Sequence, residues 1–358
     1  MVFTCTSDVV IQTVDPSIFT RTKQMSVFTT PPPNISVKEA EAIVMEYYGM
    51  KVAVRVLDSE RDQNFLCLCP EGEKMVLKIS NPDEDRGVVE MQNECMKHVR
   101  DHCSRCEVSF VIPSIEQEEI AVVDKGINSY LVRLLCHLPG PLLKDVVQDD
   151  YMLYELGLFL GDLCAAMSSF KHPCAQRDFP WDIAYIDFIR AHKHYVSEDV
   201  AILDHFVGHY EENVLPNVSA LRKSIIHNDA NDQNVLAYND GGVRGIIDFG
   251  DVVHSFVACE PAVCMAYVAL EKEDSLGPIT QVLQGFHNIF PLNEVELRSV
   301  IYMICIRMCI TVTMAAYRKN LFPKNEYISV TEAQAWDFLK KMQNVELQTW
   351  SKGFAELC

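Results

Sequence analysis

The sequence predicts an α+β chain of two lobes, a small antiparallel β-sheet followed by a larger helical lobe. Three observations predict it. Between residues 52 and 79, short β-branched runs alternate with turn sequences. Beyond Leu138-Pro139-Gly140-Pro141, apolar residues recur at helical spacing. One late hairpin, over residues 235–247, interrupts the helices and brings acidic and amide residues to one end. With 358 residues, 49% apolar and 23% charged, the chain is long enough to bury two cores and too apolar for disorder.

Taken in order, Thr30-Pro31-Pro32-Pro33 closes a polar tail, residues 1–33, expected to carry little order. Asn34 or Ser36 then caps a helix through Tyr48, and Gly49 stops it. Val52–Leu57, Phe65–Cys69 and Met75–Ile79 read as three strands, followed by a helix near Val88–Arg100. Ile120–Val123 and Ser129–Leu135 complete the sheet of the first lobe, residues 34–138. In the second lobe, residues 139–358, helices are expected over Tyr151–Phe170, Ile183–Tyr195 and Asp199–Asn213, and from Glu260, Ile279, Asn293 and Thr331 onward.

Composition narrows the partners. Fifty Asp and Glu against 31 Lys and Arg give a net charge of −19. Nucleic acid and anionic membrane surfaces need a basic face, so neither is expected, whereas a small cationic substrate is compatible. The fourteen cysteines are scattered through apolar stretches and read as reduced core thiols of an intracellular protein. Cys103-Ser104-Arg105-Cys106 lacks a second pair or a histidine pair for zinc. Ser299–Tyr317 is apolar enough for a membrane span, but Arg307 at its centre makes a buried helix the better reading. Oligomeric state leaves no mark in the chain.

The chemistry concentrates in Ile225–Asp251. His227-Asn228-Asp229 with Asn234 forms an H-x-D-x-x-x-x-N loop, and Ile247-Asp248-Phe249-Gly250-Asp251 follows. These are the two parts with which a kinase-like fold binds magnesium and positions an attacking hydroxyl. Asn239-Asp240-Gly241-Gly242 is turn chemistry. If Tyr238 faces Val243 across it, Asn234 faces Ile247, so Asn234 and Asp248 meet at one end of a hairpin. An amide oxygen beside a carboxylate suits Mg²⁺ bound together with nucleotide phosphates. Asp229, on the loop into that end, is placed to accept the proton of an alcohol. His227 reads as a structural histidine.

Lys78, late in the third strand, is the candidate to reach phosphate, the alternative being a solvated edge lysine. Glu90, or Glu94 one turn on, is its expected carboxylate partner, with Gln92 as a polar substitute. Ser59, Gln63 and Asn64 lie on the loop between the first two strands, where phosphate would be covered, although that loop holds no glycine. A purine would sit near Arg133 and Leu135. Trp181, Asp182, Tyr267, Asp251 and Arg307 are candidates for the acceptor side, and Arg307 faces either a substrate carboxylate or an internal Asp or Glu.

Together, Lys78, Asp229, Asn234 and Asp248 with its Phe-Gly-Asp resemble the aminoglycoside phosphotransferase family, whose members share the protein-kinase-like fold. Asn228 in place of the Arg of H-R-D, and the lack of an A-P-E after Asp248, set the chain apart from protein kinases. Within that family, the wording of Asp62–Phe65, Val76–Ser80, Glu90–Asn93, Tyr130–Leu135, Leu138–Gly140 and Met314–Tyr317 is similar to the branch that acts on hydroxylysine. The resemblance implies transfer of the GTP γ-phosphate to the 5-hydroxyl of 5-hydroxy-L-lysine, a step of lysine and collagen breakdown. By it, Asp229 is the catalytic base, Asn234 and Asp248 the Mg²⁺ ligands, and Lys78 the phosphate anchor. A homoserine, choline, ethanolamine or aminoglycoside kinase, or an inactive kinase-like binding module, is the alternative.

Overall fold

A computed structural model describes residues 25–239, 241–323 and 331–357. The first helix, α1 (Val37–Tyr48), starts where its capping signals place it. Ser36 accepts from the Glu39 amide while the Glu39 carboxylate accepts from the Ser36 amide, and Gly49 ends the helix at φ +68°. Strands β1 (Ala53–Leu57), β2 (Gln63–Leu68) and β3 (Lys74–Ile79) follow, then α2 (Arg86–His102), β4 (Glu107–Val108), β5 (Val111–Ile112), β6 (Ala121–Lys125) and β7 (Asn128–Cys136). The antiparallel sheet runs β1-β2-β3-β7-β5, with β6 pairing β7. Its inner face meets α1, so Ile43, Val44, Tyr48, Phe65, Leu77, Val132 and Leu134 form a separate small core.

The helical lobe contains α3 (Asp150–Met167), α4 (Asp187–His192), α5 (Val200–Asn213), strands β8 (Lys223–Ile226), β9 (Val235–Ala237), β10 (Val243–Ile246) and β11 (Val253–Phe256), then α6 (Cys259–Val268), α7 (Leu276–Ile289), α8 (Glu294–Leu321), α9 (Glu332–Met342) and α10 (Leu347–Ala355). Helices α3 and α7 cross at glycine: a Cβ on Gly157 would lie 2.1 Å from the Val282 oxygen, and one on Gly285 would lie 2.1 Å from the Tyr154 oxygen. Helix α8 is hydrophobic on every side because it runs through the centre of the lobe. It is long and apolar enough to cross a membrane, yet 94% of its most apolar window is buried.

Four expectations change. Residues 1–24 lie outside the described residues, but residues 25–33 are not a loose tail. Residues 25–29 are helical and Phe28 is buried against Phe179, with ring centroids 5.8 Å apart. Helix α2 packs its apolar stripe on the large core and not on the sheet's small one, so it lies at the junction of the lobes. The helix expected over Ile183–Tyr195 shortens to α4 because Asp182 turns its side chain to the Ala184 amide and to Ser255, competing with the helical backbone. The hairpin keeps the expected pairing of Asn234 with Ile247, whose amide donates to the Asn234 oxygen at 2.9 Å. Nearer the turn a bulge intervenes, so Val243 faces Ala237 and not Tyr238.

Candidate active site

A cleft of about 520 Å³ lies between the sheet and the helical lobe. That size suits a small ligand. Its floor is the catalytic-type loop, held by its flanks: β8 pairs with β11 ahead of it, and β9 pairs with β10 after it. Within it, Asn228 adopts φ +67° and Asp248, just past β10, φ +61°. Such left-handed conformations in side-chain-bearing residues store strain that the surrounding contacts must hold. His227 is fully buried, set edge-on to Phe249 at 4.8 Å, with its Nδ1 accepting from the Asp229 amide. Burial pulls its imidazole down to about 4 against the opposing pull of Asp248 and Asp251, so it is neutral and structural, as its apolar setting suggests.

Asp229 is the centre of a polar cage. Its Oδ1 accepts from Arg307 Nη2 at 2.9 Å and from Asn231 Nδ2 at 3.0 Å, and its Oδ2 accepts from Asn234 Nδ2 at 2.6 Å. Burial pushes its carboxyl well above the usual range, Asp251 and Asp248 push the same way, and Arg307 opposes them. Arg307 reaches it from α8. The guanidinium is 1% exposed, donates also to the Trp181 oxygen at 2.8 Å, and lies over the Trp181 ring at 4.7 Å and the Tyr267 ring at 5.6 Å. Of the two partners expected for Arg307, the internal carboxylate is therefore the one it meets. Trp181, Tyr267 and Asp251 all line the cleft, whereas Asp182 lies behind it, bonded to Ser255.

Across the cleft, Lys78 Nζ lies 2.7 Å from Asp248 Oδ1. Burial alone would raise the Asp248 carboxyl, but Lys78 and Arg61 hold it well below the usual range, so it is ionised. The expected partner Glu90 does not meet Lys78. It pairs with Arg86 on the exposed face of α2, and Glu94 lies 4.0 Å from His172. The buried face of α2 instead offers Gln92 and Asn93, each 2.7 Å from a guanidinium nitrogen of Arg133. Arg133 is thereby locked, its side chain used in structure and not free for ligand. Asp62, 3.6 Å from Lys78 Nζ, supplies the second carboxylate.

The loop between β1 and β2 is divided in its roles. Ser59 and Asn64 line the cleft, but Gln63 turns away and exchanges two hydrogen bonds with the Ile35 backbone. Asn64, Lys78 and Arg133 are register partners across β2, β3 and β7, which makes one polar row facing the cleft. In that row, Asn64 Oδ1 is buried without a hydrogen-bond partner among the described residues. Leu135, Cys136, His137 and Leu138 form the hinge-side wall. Sequence reasoning passed over Arg61 and Arg318, whose partners, Asp251 and Glu60, lie 190 and 258 residues away.

The donor set fits a hard divalent cation. Asn234 engages its amide nitrogen with Asp229, which leaves the amide oxygen as its coordinating end, and Asp248 keeps a side chain 40% exposed to the cleft. Two oxygen ligands with phosphates and water are a common Mg²⁺ set. No cluster of three or more His, Cys, Asp or Glu suited to an all-protein metal site occurs among the described residues.

Known proteins carry the same arrangement of elements. The chain is 28% identical over 333 residues to a hydroxylysine kinase of Mus musculus, covering 85% of this chain and 88% of that one. Among solved structures, an aminopropanol kinase associated with a microcompartment superposes with a TM-score of 0.68 at 14% identity, over 90% of this chain and 97% of that one. An amicoumacin kinase in complex with AMP-PNP, Ca²⁺ and its antibiotic gives 0.67 at 13% identity, over 87% and 96%. These likenesses establish the kinase-like, two-lobed fold. Residues 53–295, from the first strand to the start of α8 and with every element of the cleft floor between, match the model of the phosphotransferase enzyme family, and the chain belongs to that family.

Proposed function

We propose that the protein is a small-molecule kinase that transfers the γ-phosphate of GTP to the 5-hydroxyl of 5-hydroxy-L-lysine in the cytoplasm. One observation carries the phosphoryl-transfer reading: a caged carboxylate, Asp229, faces a Lys78–Asp248 pair across a cleft of ligand size. The acceptor rests on the 28% likeness to hydroxylysine kinases, and GTP on the sequence resemblance. A cationic amino acid also suits the acidic chain.

In this reading, Asn234 and Asp248 hold Mg²⁺, which when bound neutralises charge on the nucleotide phosphates. Lys78 approaches the phosphates from the sheet, exchanging part of its pairing with Asp248 for theirs. Asp229 orients the acceptor hydroxyl and takes its proton as the new oxygen–phosphorus bond forms, while Arg307 and Asn234 keep the carboxylate aimed. Trp181, Tyr267 and Asp251 form the acceptor wall.

The test is direct. Purified protein is incubated with Mg²⁺, GTP or ATP, and a panel of hydroxylysine, choline, ethanolamine, homoserine and an aminoglycoside, with nucleoside diphosphate release followed. Fastest turnover of hydroxylysine with GTP is expected. Turnover of another acceptor with hydroxylysine inert would sink the assignment, and faster use of ATP would remove the GTP preference.

A further inference from the structure

The loop between β1 and β2 lacks the glycines whose backbone amides cover phosphate in kinases, yet it is tied down over the cleft. The Glu60 oxygen accepts from Arg318 Nη2 at 2.9 Å, Asp62 Oδ1 accepts from the Asn81 amide at 3.0 Å, and the Arg61 oxygen accepts from Asn81 Nδ2 at 3.3 Å. Between these ties Arg61 projects toward the opposite lobe. Its guanidinium rests against two neighbouring rings, Phe28 at 4.9 Å and Phe179 at 5.4 Å. Nη2 donates to Asp251 Oδ1 at 2.5 Å, while Nη1 and Nε have no acceptor among the described residues. A Cβ placed on Gly250 would lie 3.0 Å from Asp248 Oδ1 and 3.4 Å from Arg61 Nη2, so guanidinium and carboxylate border the same small space. Lys78 Nζ lies 2.7 Å from that same Asp248 oxygen. Two fixed cations thus stand beside Asp248.

We propose that Arg61 is a catalytic residue that contacts the phosphoryl group during its transfer, an arginine supplied from the chain's own phosphate-covering loop. This rests on the phosphotransfer reading above and assigns a charge that the known parts of the site do not supply. In the transfer, the bond from γ-phosphorus to the bridging oxygen breaks and its electron pair leaves with the nucleoside diphosphate. The acceptor oxygen bonds phosphorus, and its proton goes to Asp229. Negative charge spreads over the equatorial oxygens, where a planar guanidinium with two unused nitrogens can donate in a fork. Packing on the two rings and the Asp251 contact hold that fork in place beforehand, so little reorganisation remains at the moment of transfer. A charged fork on a pinned loop thereby does what amide donors do on a glycine loop.

The experiment uses the full chain with hydroxylysine, GTP and Mg²⁺, and compares the parent with Arg61→Ala and Arg61→Lys. Arg61→Ala should lower kcat by about 10³, the lower end for an arginine acting on a transferred phosphoryl group, while GDP affinity changes by less than about threefold. Affinity for GDP·Mg²⁺ with aluminium fluoride and hydroxylysine should fall by about the same factor as kcat, and Arg61→Lys should recover part of both. Melting curves identify an unfolded alanine variant, in which case the lysine variant carries the measurement. An unchanged kcat, or a lowered kcat with undiminished aluminium-fluoride affinity, overturns the role of Arg61 and makes it a structural tie. A parent protein that phosphorylates no hydroxyl acceptor overturns the phosphotransfer reading itself, and this proposal with it.

Discussion

Replacing Arg307 by methionine removes the cation that opposes the upward push on Asp229. The two groups are 2.9 Å apart and the guanidinium is 1% exposed. At an effective dielectric constant near 20, such a pair is worth about 5–6 kcal/mol. Most of this returns through Asn231, Asn234 and water on the cleft side, which leaves about 1.5–3 kcal/mol for a hydrogen bond to a charged group. At 1.36 kcal/mol per unit, the Asp229 carboxyl rises by about one to two pKa units. A base must be ionised to act, so the acidic limb of kcat should move to higher pH by that amount. Below the limb, the variant should be about 10–100-fold slower than the parent. Breaking the pair should also destabilise the fold by about 3 kcal/mol, the lower end for a buried partner because Asp229 faces the cleft. The assay is kcat against pH at saturating nucleotide and acceptor, with a thermal melt alongside. An unmoved acidic limb with a raised KM for the amino acid would refute the reasoning and make Arg307 a reader of the substrate carboxylate.

Asp229→Asn should lower kcat by about 10²–10⁴ in a protein that still folds but melts at a lower temperature, because Arg307 loses its buried carboxylate, and full retained activity would remove Asp229 from the mechanism. Asp182 is buried, and burial raises its carboxyl to about 6 despite the Ser255 hydroxyl. Its folded-state pKa lies above the unfolded one, so its contribution is complete below the unfolded pKa and is lost as pH rises through about 6. Asp182→Asn should therefore flatten the fall in stability between pH 4 and 7, by up to about 3 kcal/mol, measured by urea unfolding across that range. Gly157→Ala or Gly285→Ala would drive a methyl into opposing backbone, and should cost more than about 3 kcal/mol or abolish soluble expression, with mild thermal shifts counting against the close crossing.

Local signals carried much of this architecture. The capping box at Ser36 and Glu39, the stop at Gly49 and the hairpin pairing of Asn234 with Ile247 depend on neighbours in sequence, and they formed as read. Glu90 shows the limit of such reading. Spacing of four puts Glu90 and Glu94 on one face, but only packing decides which face is inward, and α2 turned Gln92 and Asn93 to the core. Residues that act across the chain left no local trace. Arg61 finds Asp251, Arg318 finds Glu60, and the two-residue strand β4 runs parallel to β10, too short for alternation to show. Lys78 was legible as a cation on the third strand, while its partner Asp62 lay in a loop where charge is commonplace.

Arg307 and Arg318 stand eleven residues apart on α8, close to three full turns, so both leave the helix on nearly the same side. One grips the Asp229 carboxylate on the cleft floor, the other the loop between β1 and β2. Helix α8 is thus a gauge of fixed length, about 16 Å between these two stations. Inserting or deleting a single residue between them would rotate one arginine by about 100° relative to the other, and either Asp229 or the loop would lose its hold.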